Sequence, residues 1–120
     1  MIAPQDFLNH AKGLIDINNN PTEIDCRSAI SRAYYSLFHE ASNFLEAKGR
    51  YQRTTYKPHE AIKNILVQID PIIGLEYDTH KDSRREADYN LRASVFTLVN
   101  SDREVREIES FILTVKRLPI

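Results

Sequence analysis

One hundred and twenty residues with a formal net charge of −1 describe a single domain over residues 1–120, long enough to bury its own core. Three glycines among plentiful Leu, Ile, Ala, Glu, Arg and Lys favour helices over a turn-rich β fold. The near-neutral charge excludes a DNA-coating role, so any nucleic-acid contact must come from a local basic cluster.

In chain order, Pro4 suits a first helical turn, and Phe7, Leu8, Ala11, Leu14 and Ile15 share a face, which predicts a helix over about 4–17. Asn18-Asn19-Asn20-Pro21 breaks it, because asparagine favours turns and proline opposes continuation. Thr22 is a good N-cap, with Glu23 and Asp25 in the first turn, and opens a long second helix. That helix runs to Lys48, where Gly49 supplies a left-handed C-terminal residue. Within it Ile30, Ala33, Tyr34, Leu37, Phe38, Ala41, Phe44 and Leu45 recur at the spacing of a buried stripe.

Arg50 to Pro58 is a basic, aromatic-containing loop without helical period. Pro58 to Gln68 predicts a third helix with Ala61, Ile62, Ile65 and Leu66 inward, ended by Asp70-Pro71. A fourth helix covers about 71–90, although Tyr77 to Asp82 is polar enough to be a loop. Leu91 to Asn100 is apolar but poorly periodic. Ser101-Asp102-Arg103-Glu104 reads as a capping box that opens a last helix, with Val105, Ile108, Phe111, Ile112 and Val115 inward. The expected fold is all-α, a bundle of four or five helices.

The lone Cys26, read as a half-buried helix residue, excludes an internal disulfide and fits a reducing cytoplasm. The first residues lack a basic start and an apolar run, and no stretch is apolar enough to span a bilayer. The expectation is a cytoplasmic domain.

No glycine-rich phosphate loop and no nucleophile elbow occur, and His10, His39, His59 and His80 lack metal-ligand spacing. No metal or cofactor is expected. Arg32 and His39 stand seven apart on the second helix, a rotation of roughly 700° that puts them on one face about 10 Å apart. An arginine fork matches phosphate oxygens, and a histidine can move the proton of a ribose 2′-hydroxyl. The plainer reading pairs Arg32 with an acid from another helix and leaves His39 at the edge of the core. Arg84 and Arg85 can bind phosphate, helped by Arg50, Arg53 and Lys57, or form a solvated charge run. Tyr35, Tyr51 and Tyr56 can stack on bases or pack their rings at the rim.

The run Ser31-Arg32-Ala33-Tyr34-Tyr35-Ser36-Leu37-Phe38-His39-Glu40-Ala41, with Lys57-Pro58-His59 and the later Arg84-x-x-Ala87-Asp88-Tyr89, resembles the HEPN domain family. It is most similar to that family's small stand-alone branch, over about residues 7–115. The resemblance implies an up-and-down four-helix bundle with a shorter fifth helix, assembled as a homodimer. It also implies a place beside a nucleotidyltransferase or antitoxin, in a toxin–antitoxin or defence module.

Some members are metal-independent endoribonucleases that use an arginine followed at short spacing by a histidine; others bind nucleotides without cleaving. Arg32 and His39, with six residues between them, satisfy that spacing. In the clearest nucleases the motif lies in a later helix. The matching place here is Arg84 to Tyr89, where no histidine follows. The favoured reading is therefore a module that binds RNA or a nucleotide through Tyr35, Ser36, Arg84 and Arg85. The alternative is an endoribonuclease with Arg32 as phosphate electrophile and His39 as general acid/base. A competing structural role for Arg32 is a buried pair with Asp88 joining the second and fourth helices.

Overall fold

A computed structural model describes all 120 residues, which form five α-helices and no strand. They are α1 (Pro4–Leu14), α2 (Glu23–Ala47), α3 (Pro58–Ile69), α4 (Pro71–Tyr89) and α5 (Leu98–Lys116). No helix is long and apolar enough to cross a membrane.

Helix α2 is the axis on which the others are laid. Its 25 residues span about 37 Å, most of the 43 Å long dimension of the molecule. It packs against α1, α3, α4 and α5, while α3 and α4 also pack on each other. The expected stripe is the core: Ala33, Tyr34, Leu37, Ala41 and Leu45 are fully enclosed, with Ile62 and Leu66 of α3 and Val105, Ile108 and Phe111 of α5. Burying each large apolar side chain stabilises the fold by about 1.5–3 kcal/mol relative to exposure.

Local chemistry sets the helix ends. Thr22 accepts from the Asp25 amide while the Asp25 carboxylate accepts from the Thr22 N–H (2.9 Å), a reciprocal box at the start of α2. Helix α1 stops at Leu14, short of the expected end, and Ile17–Asn19 winds into a 3-10 turn whose Asn18 N–H donates to the Asp16 carboxylate (2.9 Å). Cys26 is fully buried rather than half-buried.

Two other expectations change. Residues 77–82 are helical within α4, because Tyr77 and His80 turn inward and need the helix to place them. Helix α5 begins at Leu98, with Thr97 accepting from the Asn100 amide (3.2 Å), and not at Ser101. Ser101 is instead buried one turn inside the helix, and Glu104 is taken by His80 at 2.7 Å. The sequence box is one turn late because a buried histidine outcompetes a helix amide for that carboxylate.

The α3–α4 corner has no loop. The Asp70 carboxylate accepts from the amides of Ile72 and Ile73, and Pro71 starts the next helix. Gly74 lets the two helices meet: a Cβ there would lie 2.6 Å from both the N and the Cα of Val67. This corner holds α3 and α4 side by side at the cleft described next.

Candidate functional site

Three helices meet where α2 presents Tyr34, Tyr35 and Phe38, α3 begins at His59, and α4 presents Tyr77, Lys81, Arg84 and Arg85. Tyr34 is an inward residue of the buried stripe, so its hydroxyl needs a partner inside the protein. It finds two, the Tyr77 hydroxyl at 3.0 Å and Nδ1 of His59 at 2.8 Å. The His59 ring stacks on Phe38 with centroids 4.0 Å apart.

The chain of hydrogens has one arrangement that leaves no buried hydroxyl proton without an acceptor. Tyr77 donates to Tyr34, Tyr34 donates to Nδ1 of His59, and the imidazole proton sits on Nε2. The reverse direction strands the Tyr77 proton in a fully enclosed site. Burial drives the His59 pKa down, and the charges of Arg84, Lys81 and His39 push further, to about 4. His59 is therefore a neutral N–H donor at physiological pH. Burial raises both tyrosine hydroxyls well above their ordinary value, so they stay protonated.

Beside this network lies a cleft of about 230 Å³ lined by Lys57, His59, Glu60, Lys81, Arg84 and Arg85. Carboxylates hold its cations from behind. Lys81 meets Glu60 (2.7 Å) and Asp78 (3.6 Å), Arg84 meets Asp88 (3.3 Å), and Arg85 meets Asp82 (2.9 Å). The Arg84 guanidinium also lies over Tyr34 (5.5 Å) and Tyr35 (5.7 Å), and its Nε is buried without a hydrogen-bond partner. Lys57 has left-handed backbone (φ 47°), a strained conformation for a side-chain-bearing residue. It precedes α3 without a side-chain cap, which leaves the positive end of that helix open to an anion.

The structure places the sequence-derived candidates as follows. Arg84 and Arg85 line the cleft, and Tyr35, half-buried, borders it through Arg84. Ser36 is 1% exposed, beneath the surface and out of a ligand's reach. Arg32 is exposed, and the competing role, a pair with Asp88, does not form, because Arg84 and Ser31 occupy that carboxylate. His39 stacks on Phe7 (5.4 Å) and faces a separate hollow with Ile2, Pro4 and Asn43. Burial, then Arg53, lowers its pKa. Arg32 and His39 thus do not share a cavity. Arg53 bonds Glu46 (3.0 Å), and Arg50 is exposed, so Lys57 is the one cation of that loop in the cleft.

His59, Lys81 and Tyr77 were not singled out as site residues from sequence. Two tyrosines at inward helical positions were the available signal, since each needs a polar partner. The largest hollow, about 940 Å³ against α5, has no comparable convergence: its Asp102 and Arg106 bond each other. No family model matches this chain, and no curated protein is significantly similar to it.

Proposed function

We propose that this chain is a HEPN-type helical module that binds RNA or a nucleotide by its phosphate at the α3–α4 cleft. The observation that carries the reading is the convergence of Lys57, His59, Lys81, Arg84 and Arg85 on one small cavity. Guanidinium forks and ammonium groups are the side chains that recognise phosphate, and an uncapped helix start adds to their field. In this reading the family resemblance supplies the wider setting: an up-and-down bundle, a homodimer, and a nucleotidyltransferase or antitoxin as partner.

Substituting Arg84→Ala together with Arg85→Ala should weaken binding of a short RNA or of ATP at least tenfold at low salt. The slope of log affinity against log salt should flatten as well. Unchanged affinity and slope reject the cleft as the site.

The second reading, a metal-independent endoribonuclease, draws on one observation: an arginine and a histidine, Arg84 and His59, do line a common cleft. The hydrogen-bond chain weighs against it. With Tyr34 donating to Nδ1, the Nε2 position already carries its proton and offers a donor rather than a base. Cleavage of labelled RNA in chelator decides the matter. Activity that is lost in His59→Ala or in His39→Ala supports the nuclease and names its histidine; no activity in wild type removes it.

A further inference from the structure

We infer that the cleft takes a terminal phosphate monoester, on the end of an RNA or on a free nucleotide, in preference to a phosphodiester inside a strand. The inference rests on the reading of the cleft as a phosphate site.

Size is the first ground. The cavity holds about 230 Å³, below the roughly 300–1,000 Å³ of sites that enclose a whole small-molecule ligand. It suits a phosphoryl group, with the nucleoside left outside.

Charge is the second. Four cations line the cavity against one carboxylate, Glu60, which Lys81 already engages at 2.7 Å. A monoester brings up to two negative charges and three acceptor oxygens, and so answers more of these donors than a diester's single charge. The neutral Nε2–H of His59 adds a donor.

The surroundings are the third. Asp78, Asp82 and Asp88 stand on α4 behind the cations, and Glu60 and Glu86 are close by in sequence on α3 and α4. A strand tracking its backbone across this surface would bring successive phosphates past carboxylates. A single phosphate entering end-on meets four cations and one lining carboxylate, Glu60, which Lys81 neutralises. Strand-binding grooves are built the other way, as a continuous basic track with stacking platforms.

The pH dependence follows with a definite sign. Facing His59 are Tyr34, Tyr35 and His39 from α2, Lys81 and Arg84 from α4, and Lys57 and Glu60 at its own helix start. His59 already stands neutral above about pH 4, so it gives up no charge near neutrality. The ligand does gain one, because a phosphate monoester ionises a second time near pH 6. Affinity therefore rises between about pH 5 and 7.5, the opposite of a site built on an imidazolium.

The test compares five probes at low salt: one RNA octamer with a 5′-phosphate, with a 3′-phosphate and with neither, together with AMP and adenosine. The phosphorylated probes should bind at least about tenfold tighter than their unphosphorylated counterparts, with the preference growing as pH rises. Lys57→Gln combined with Arg85→Gln, both exposed positions where folding is safe, should erase the preference. AMP matching the phosphorylated RNA identifies a nucleotide as the ligand, and preference confined to the RNAs identifies a strand end; either supports the proposal. Equal binding of all three RNAs, weakened by the double substitution, overturns it while leaving phosphate binding in place. A preference that falls with rising pH overturns it too. If no probe binds and inorganic phosphate moves no amide resonance of Lys57 to Ala61, both this inference and the underlying reading fail.

Discussion

Arg27→Met removes a buried guanidinium while keeping a long apolar stem, and it tests what holds the far end of the α4 platform. Arg27 is 4% exposed and reaches from α2 to donate Nη1 to the carbonyl of Ala87 (3.0 Å) and Nη2 to that of Ala93 (3.1 Å). A longer bond runs to Glu86 (3.5 Å), and the guanidinium lies 4.3 Å from the Phe96 ring centroid. The Asn90 N–H already donates to the Glu86 carbonyl (3.0 Å), whereas that of Ala87 is among those the end of a helix leaves without an intrahelical partner, so Arg27 is a C-terminal cap supplied from a neighbouring helix.

Each charged hydrogen bond contributes about 1.5–3 kcal/mol, and the guanidinium's own desolvation offsets part of that sum. Since Glu23, the nearest carboxylate, is 3.8 Å away and mostly exposed, little ion-pair energy enters. The expected net loss is about 2–4 kcal/mol, or roughly 8–16 °C in Tm for a domain of this size. Urea unfolding followed by circular dichroism measures the loss. Hydrogen exchange locates it: amides of residues 91–97 should lose protection first, while those of α1 and α2 keep theirs. A loss under about 1 kcal/mol, or exchange that rises evenly along the chain, would refute the capping role.

Two further substitutions probe the frame of the cleft. Gly74→Ala should destabilise by at least about 1 kcal/mol in denaturant titration, because overpacking against Val67 backbone costs more than the helix propensity that alanine gains; a stabilised variant contradicts the close approach. For His80, burial alone would lower the pKa, but the Glu104 contact at 2.7 Å and Glu76 at 3.4 Å outweigh it and raise the folded value above 6.5. Its contribution is then complete below pH 6.5 and fades as pH rises through the folded value. The stability gap between wild type and His80→Gln should therefore shrink on going from about pH 6 to pH 8.5, and a widening gap would reverse the assignment.

The parts of the molecule that the sequence announces are those governed by neighbours along the chain. The α2 stripe, the Thr22 N-cap and the break at Asp70-Pro71 are one-turn patterns, and the structure repeats them. Arg27 was invisible because its partners are backbone carbonyls about sixty residues away, which carry no side-chain signature. The capping box at Ser101 misled because a sequence pattern cannot show that Glu104 has a better partner in His80. The Arg32–His39 pair came from helical rotation and from the spacing that the family resemblance implies. Rotation puts two residues on one face but does not say whether that face borders a cavity.

The cleft is where the core and the chemistry constrain each other. Its histidine is positioned by Tyr34 and Phe38, two residues of the buried stripe, so the site inherits the rigidity of the best-packed helix. Three of its four cations, Lys81, Arg84 and Arg85, come from helix α4 and are braced by carboxylates one turn away, which limits their rotamer freedom before any ligand arrives. A preformed donor set of this kind binds without a large ordering cost, which suits recognition. Burial and the neighbouring cations keep His59 neutral, and Tyr34 occupies its Nδ1, which removes the free lone pair that proton abstraction needs. Removing the donor to Nδ1 by Tyr34→Phe would free that nitrogen to carry the imidazole proton in place of Nε2. That change tests whether binding depends on the Nε2 donor, because it deletes one hydroxyl from the core without touching the cleft wall.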